Sequence, residues 1–419
     1  MSFQQGLSGL NAAAKNLEVI GNNVANSGTV GFKQGQAQFA DMYANSMNRS
    51  GNSPVGIGVN VANVSQQFTQ GNISSSNNPL DIAINGDGFF RMVGSLTNQA
   101  PLYGRNGQFQ LNDKGYIINP SQNGAFLTGW PAGVGGGDPV PLQINTANLP
   151  AIETNGIQTK VNLDSRLNAP STTPFAATEP TSYNNSSYVT VYDSLGNTYN
   201  VQMYYVKNTA TSTATATTWD VYATVDGAPY PAFVPPATQS DIGTLTFDTN
   251  GIMTGSTVAP LNLTAQPGAS FDPAGISVDY LGSTQTGSPF VNLAQFQNGM
   301  APGVLSSFNI SKDGQIIGSY SNGRTQSLGQ VLLVNFANPN GLQPLGNNLF
   351  AASADAGSAL IGTPTTGNFG TLQARATEDS NVDLTAELVN MITAQRAYQA
   401  NAQTIKTQDQ IMQTLVNLR

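Results

Sequence analysis

Near both ends of the chain, apolar residues recur in alternating steps of four and three, the spacing that places them on one side of a helix. At the C-terminal end, Glu378 to Arg419 holds no glycine and no proline. There Leu384, Leu388, Met391, Gln395, Tyr398, Ala402, Ile405, Asp409, Met412 and Val416 fall on one line. This is a heptad seam broken at Gln395 and Asp409. Ser380 and Asp383 resemble a capping box, and Glu378, Asp379, Asp383 and Glu387 gather where a helix dipole is positive. A helix of roughly 35 residues is about 50 Å long, so its stripe needs cover. At the N-terminal end, Phe3, Leu7, Leu10, Ala14, Leu17, Gly21 and Val24 form a second seam. Ser2 and Gln5 are a further candidate capping box, and Gly28 and Gly31 stop this helix. Its only charges are Lys15 and Glu18, so it is poorly suited to standing alone in water. Either it packs on its own domain, or the two seams pair with each other and with copies from other subunits.

Between the helices the pattern changes to strands. Phe32, Phe39, Met42 and Tyr43 read as apolar anchors, Asn48–Pro54 as a loop, Val55–Val64 as a short strand and Asn72–Asn78 as a linker. Asp81–Phe90 reads as a hairpin turning at Asn85-Gly86. Similar turn pairs recur at Asn106-Gly107, Lys114-Gly115, Asn123-Gly124, Asp313-Gly314 and Asn322-Gly323. Tyr188–Asp193 and Thr198–Val206 flank a turn at Ser194–Asn197, and Trp219–Val225 and Thr244–Phe247 continue the strand pattern. The Thr/Ala tract at 209–218 and the Pro-rich stretch at 229–236 read as loops. Residues 150–285 therefore suit an antiparallel sandwich or barrel. Leu305–Ile310 and Gln330–Phe336 are strands in a later region that resembles the first in style.

The order helix, β, β insert, β, helix implies nesting. The expected fold is multidomain α+β: N- and C-terminal helices paired as a coiled coil, with mainly antiparallel β domains inserted between them. Residues 1–34 and 378–419 form the helical domain and 35–75 a connecting segment. An inner β domain is built from 76–146 and 286–377, and 147–285 is the outer insert.

Composition narrows the chemistry. The 419 residues include no cysteine and no histidine. That removes disulfides, thiol nucleophiles, Ser/His/Asp catalysis and the usual zinc sites. Asn85–Gly88 lacks the carboxylate spacing of a calcium loop, and Gly133–Gly137 does not complete a dinucleotide fingerprint. No cofactor or metal is expected. The formal net charge is −8, which argues against nucleic acid and anionic membranes. Between 150 and 285, Glu153, Asp164, Glu179, Asp193, Asp220, Asp226, Asp241, Asp248, Asp272 and Asp279 face only Lys160, Arg166 and Lys207, a net of −7. The insert reads as a separate, water-facing acidic domain. Most of its acids sit in turns, where Asp is a turn residue, so a two-carboxylate glycosidase is disfavoured. No apolar run is long enough to cross a membrane, and the N-terminus lacks the pattern of a cleaved secretory signal.

Several stretches are recognisable. GLSGLNAAAKNLEVIGNNVANSGTVGFK near the start and SNVDLTAELVNMITAQRAYQANAQTIKTQDQIMQTLVNLR at the end resemble the terminal signatures of the bacterial flagellar axial proteins. DIAINGDGFF (81–90), YGRNGQFQL (103–111), TVYDSLGN (190–197), DGQIIGSYSNG (313–323) and LGQVLLVNFANPNGLQPLGNNLF (328–350) narrow the resemblance to the flagellar hook proteins. Ala376–Asp379 departs from the family's lead into SNVDL and leaves the exact start of the last helix open; the loop at 47–54 is longer than the shortest members carry. The resemblance implies a structural, non-enzymatic subunit of a curved, hollow helical tube outside the cell. This tube is a universal joint passing torque from rod to filament, with unfolded export substrates passing through its channel. It further implies many copies of the chain, contacts with distal rod, hook cap and hook–filament junction proteins, and delivery by the flagellar type III export apparatus without a cleaved signal. A distal rod or junction protein is the alternative within the family. The residues expected at subunit interfaces are Phe3, Leu7, Leu10, Leu17, Val24, Leu384, Leu388, Met391, Tyr398, Ile405, Met412 and Val416.

Overall fold

The computed structural model of the chain describes residues 2–42, 56, 58–97, 99–232 and 238–417. The expected loop at 47–54 and the anchor Tyr43 lie outside the described residues, as does part of the Pro-rich 229–236 stretch. Among the described residues, two α-helices and many strands make the fold mostly β. Helix α1 runs Ser2–Ala25 and helix α2 Leu384–Asn417. The long helix starts later than its glycine- and proline-free stretch. Asp383 is its cap, accepting hydrogen bonds from the N–H groups of Thr385 (2.9 Å) and Ala386 (3.2 Å). Glu378 is not in the helix. It ends a strand, Ala376–Glu378, that pairs antiparallel with β3 (Ile73–Ser75). The expected linker at 72–78 is therefore partly a strand, because Ile73 and Ser74 find ladder partners far along the chain. At the start of α1, Gln5 does not close a capping box; its Nε2 donates to Gly56 C=O at 2.6 Å.

Chain contacts divide the molecule into two units. One holds 1–146, 307–319 and 325–419; the other holds 147–306 and 320–324. In the first unit, β1 (Gly35–Met42) and β2 (Gly58–Gln66) pair as an antiparallel ribbon in contact with α1. Phe39 and Met42 are exposed on β1 rather than anchored in a core. Asn85-Gly86 is a turn, with Gly86 at φ +107, but not a hairpin. The strand before it, β4 (Ile82–Asn85), pairs with Thr371–Ala374, while the one after it, β5 (Phe89–Val93), pairs with β6 (Pro101–Gly104) and with Ala125–Pro131. Phe89, Phe90, Met92 and Val93 of β5 are all buried, which marks a central strand. Lys114-Gly115 and Asn123-Gly124 do close neighbouring strands, at Leu111↔Ile117 and Asn119↔Ala125. Phe68, Phe89, Tyr103, Phe336 and Phe350 pack edge to face in one cluster.

The second unit is a two-sheet β fold. A meander runs Asn185–Tyr192, Thr198–Asn208, Ala216–Val225, Gly243–Asp248 and Met253–Ser256, with the first hairpin in the register Tyr192↔Thr198. Alternate residues point inward: Val189 and Val191, then Val201, Met203 and Tyr205, then Trp219, Val221 and Ala223, then Leu245 and Phe247. The facing sheet is centred on Gly156–Asp164 and supplies Ile157, Val161, Leu163 and Val278. Its central strand runs parallel to Ser277–Asp279 and Thr284–Thr286 and antiparallel to Val291–Gln297, so the unit is not purely antiparallel.

Candidate functional site: the helix pair and its root

The two helices touch along small residues. A side chain on Gly6 would begin 3.1 Å from Ile405 Cγ1, and one on Gly9 would begin 2.9 Å from Asn401 Oδ1. Ala12, Ala13, Ile20 and Asn23 complete the buried line on α1; Glu387 and Ala394 are buried on α2. Small residues let two helix backbones approach closely. On α1 the buried line lies one residue off the apolar seam, a rotation of about 100° around the helix. Phe3 and Leu7 are therefore exposed, at 51% and 45%, and Leu10, Leu17 and Val24 are half-buried. On α2, Met391 and Ile405 are half-buried against the pair, while Leu384, Leu388, Tyr398 and Met412 are exposed. The side chain of Val416 is not among those described. Val389 and Ile392, absent from the expected seam, add to the exposed apolar surface of α2.

The root of the pair is polar. Asn23 donates to Gly35 C=O (2.8 Å) and Glu387 Oε2 (3.1 Å) and accepts from Gly35 N–H (2.9 Å). Gln34 donates to Glu387 Oε1 at 2.8 Å. Asn381 accepts from Gln34 N–H (2.8 Å) and donates to Gln67 C=O (2.7 Å). The end of α1, the start of α2 and the ribbon are thus joined by paired buried polar groups, which fix one arrangement more sharply than apolar contact does.

Beneath this lies a buried ionic triad. Lys33 Nζ donates to Glu378 Oε1 and to Thr69 C=O, both at 2.7 Å, and Arg105 Nη1 sits 3.3 Å from Glu378 Oε2. Lys33 and Glu378 are wholly buried at their side chains, and Arg105 nearly so. Two cations share one carboxylate. The excess charge is met by carbonyls, by Gly86 C=O at 2.9 Å from Arg105 Nη2, and by the Phe89 ring 5.4 Å from the guanidinium carbon. Arg105 Nε has no hydrogen-bond partner among the described residues. Burial pushes the Lys33 ammonium below its usual pKa; Glu378 opposes that shift and Arg105 adds to it. Glu378 also accepts from Gly71 N–H at 3.0 Å, and its C=O takes the Gly31 N–H at 2.7 Å. Gly31 is required there: it has φ +72, and a side chain would begin 2.6 Å from Asn106 N. Lys33, Arg105 and Glu378 each sit inside or beside a recognisable motif (GFK, YGRNG and ATED), and a charge in an otherwise weakly charged stretch was the available signal. Among the described residues no cluster of acidic side chains is placed to hold a metal.

Comparison with known proteins locates this architecture. Family profiles match residues 3–33 (flagella basal body rod protein), 83–163 (flagellar hook protein FlgE/F/G D1 domain), 162–300 (flagellar basal body protein FlaE D2 domain) and 373–418 (flagellar basal body rod FlgEFG protein C-terminal). The chain is 46% identical to the flagellar hook protein FlgE of Salmonella typhimurium and 45% identical to that of Escherichia coli K12, over the full length of each. The chain belongs to the flagellar hook protein family. A more distant hook protein, from Borreliella burgdorferi, is 30% identical across 100% of this chain and 99% of its own. Among solved structures, the Helicobacter pylori flagellar hook protein FlgE2 shares the fold, with a TM-score of 0.50 over 73% of this chain and 100% of that one, at 15% identity. The helix pair and its root are thus features of a structural hook protein of the bacterial flagellum. No helix of the described residues is long and apolar enough to cross a membrane.

Proposed function

We propose that the chain polymerises through its terminal helices into the curved, hollow tube of the hook, a universal joint that passes torque from rod to filament. The observation that carries this reading is the exposure of Phe3, Leu7, Leu384, Leu388, Val389, Ile392 and Met412 on two helices that already touch. Each such side chain gains about 1.5–3 kcal/mol on burial, so a surface of this kind is finished by neighbouring copies. Head-to-tail contacts that do not close on themselves give an open helical polymer. In this reading the helices of the terminal segments 1–34 and 378–419 pair as a coiled coil lining the channel. The β segments between them surround that channel. The chain acts without catalysis and leaves the cell uncleaved through the flagellar type III export apparatus. It meets distal rod, hook cap and hook–filament junction proteins, and unfolded export substrates pass through its channel. Deleting 384–419 tests the reading: the second unit keeps its cooperative unfolding transition, and electron microscopy finds no tubes. Tubes like those of the full chain would reject it.

A further inference from the structure

Among the described residues, two strands each leave one edge unused, and both edges line one groove of the first unit. Leu305–Ile310 is the last strand at one end of its sheet, and Thr371–Ala374 pairs on one side only, with β4. Ser311 N–H bonds to Gln315 C=O in the hairpin that follows the first of these. By the alternation of an antiparallel ladder, the backbone groups of Ile310 and Phe308 then point away from that hairpin. Leu372 N–H donates to Lys312 C=O at 3.0 Å, which makes Leu372 and Ala374 the outward positions of the second strand. That bond is the one backbone link between the two edges among the described residues. The groove has a volume of about 980 Å³, with Phe308, Ile310, Lys312, Ala374 and Arg375 in its lining. Unpaired edges of this kind are templates for a further strand.

The rim is cationic. Lys312 and Arg375 are both exposed, and neither joins an ion pair among the described residues. Arg375 stands at φ +56, a left-handed conformation that a side chain adopts at a cost. The chain's acid excess is concentrated elsewhere, as a net −7 over 150–285. We propose that the groove takes an extended edge strand from the acidic second unit of another copy. The incoming backbone bonds to Phe308, Ile310 and Ala374, and carboxylates of the turns that flank that strand pair with Lys312 and Arg375. Charge complementarity selects a second copy as the occupant. The inference rests on the assembly reading above.

The full-length chain is polymerised beside three variants, and sedimentation gives the concentration at which tubes form. Lys312→Glu/Arg375→Glu raises that concentration about tenfold at low salt, and added salt narrows the gap. Arg375→Gly relieves the left-handed backbone, so the monomer melts higher while assembly weakens. A merely structural arginine would not give that combination. Ala374→Pro removes an N–H the chain itself leaves outward, so assembly weakens with the monomer melting unchanged. If all three variants assemble at the concentration of the unchanged chain, the groove is not a strand site. If the unchanged chain forms no tubes, the assembly reading fails and this inference with it.

Discussion

Leu245 and Leu388 are the same side chain with opposite surroundings. Leu245 is wholly buried in the second unit, beside Trp219 and Phe247. Leu388 is 44% exposed on a helix that already has a partner. The second unit closes a core of its own, from Trp219 to Tyr280, although Tyr188, Leu281 and Phe296 stand among its exposed apolar side chains. The helix pair instead buries glycine, alanine and paired amides and leaves leucines outside. The first arrangement has a core that is complete within one chain. The second has its geometry settled by small and polar residues, and its apolar surface is kept for other molecules.

That contrast breaks if damage to one region spreads to the other. Trp219 is fully buried, so Trp219→Ala removes the largest core side chain of the second unit. The expected loss is ~3–5 kcal/mol from that unit's urea unfolding. Protease resistance of the helix root should be unaltered, because none of its bonds involves that core. Equal loss of protection at Lys33 and Glu387 would show that the two regions are not independently finished.

The next largest effect tests the root from its own side. Glu378→Gln leaves Lys33 and Arg105 buried without their carboxylate, and removing one partner of a buried pair costs about 3 kcal/mol or more. The triple replacement Lys33→Met/Arg105→Met/Glu378→Met removes all three charges together and should recover most of that loss, read as thermal melting of the first unit. If the triple variant melts no higher than the single one, the triad is not the joint that holds the root.

How far all this was legible in the sequence differs between the same two regions. The meander of the second unit could be read from alternation and from turn residues, as at Tyr192↔Thr198 across Ser194–Asn197. Strand pairing between distant segments could not. Ile73–Ser75 and Ala376–Glu378 are short, and their partners lie some 300 positions apart, beyond any local pattern. Asn85-Gly86 misled because an Asn-Gly pair supports a turn without requiring that the flanking strands pair with each other. In the helices, periodicity located the elements but favoured large apolar residues over small ones. The contact line of Gly6, Ala13 and Ile20 therefore lay hidden one residue away from the visible stripe. The triad was harder still, since its three charges lie far apart in sequence and only the fold brings them together.

The smallest expected effect concerns pH, and it belongs to the second unit alone. Arg166 holds the Asp164 carboxyl down to about 2, through its side-chain nitrogens at 2.8 and 2.9 Å and its backbone N–H at 3.0 Å. A carboxylate with a depressed folded pKa contributes stability that is fully present above its unfolded value of about 3.9. That contribution is lost as pH falls through the interval down to about 2, because the unfolded chain takes up the proton first. The effect is modest, since Arg166 is largely exposed and solvent screens the pair. Asp164→Asn should therefore flatten part of the acid-side slope of the second unit's melting temperature below about pH 4 and leave the slope above it unchanged. The helix root contains neither residue, so its melting should follow the same pH course in both proteins. A shift in the root's acid response on Asp164→Asn would mean that the self-contained unit and the unfinished one share more than a chain.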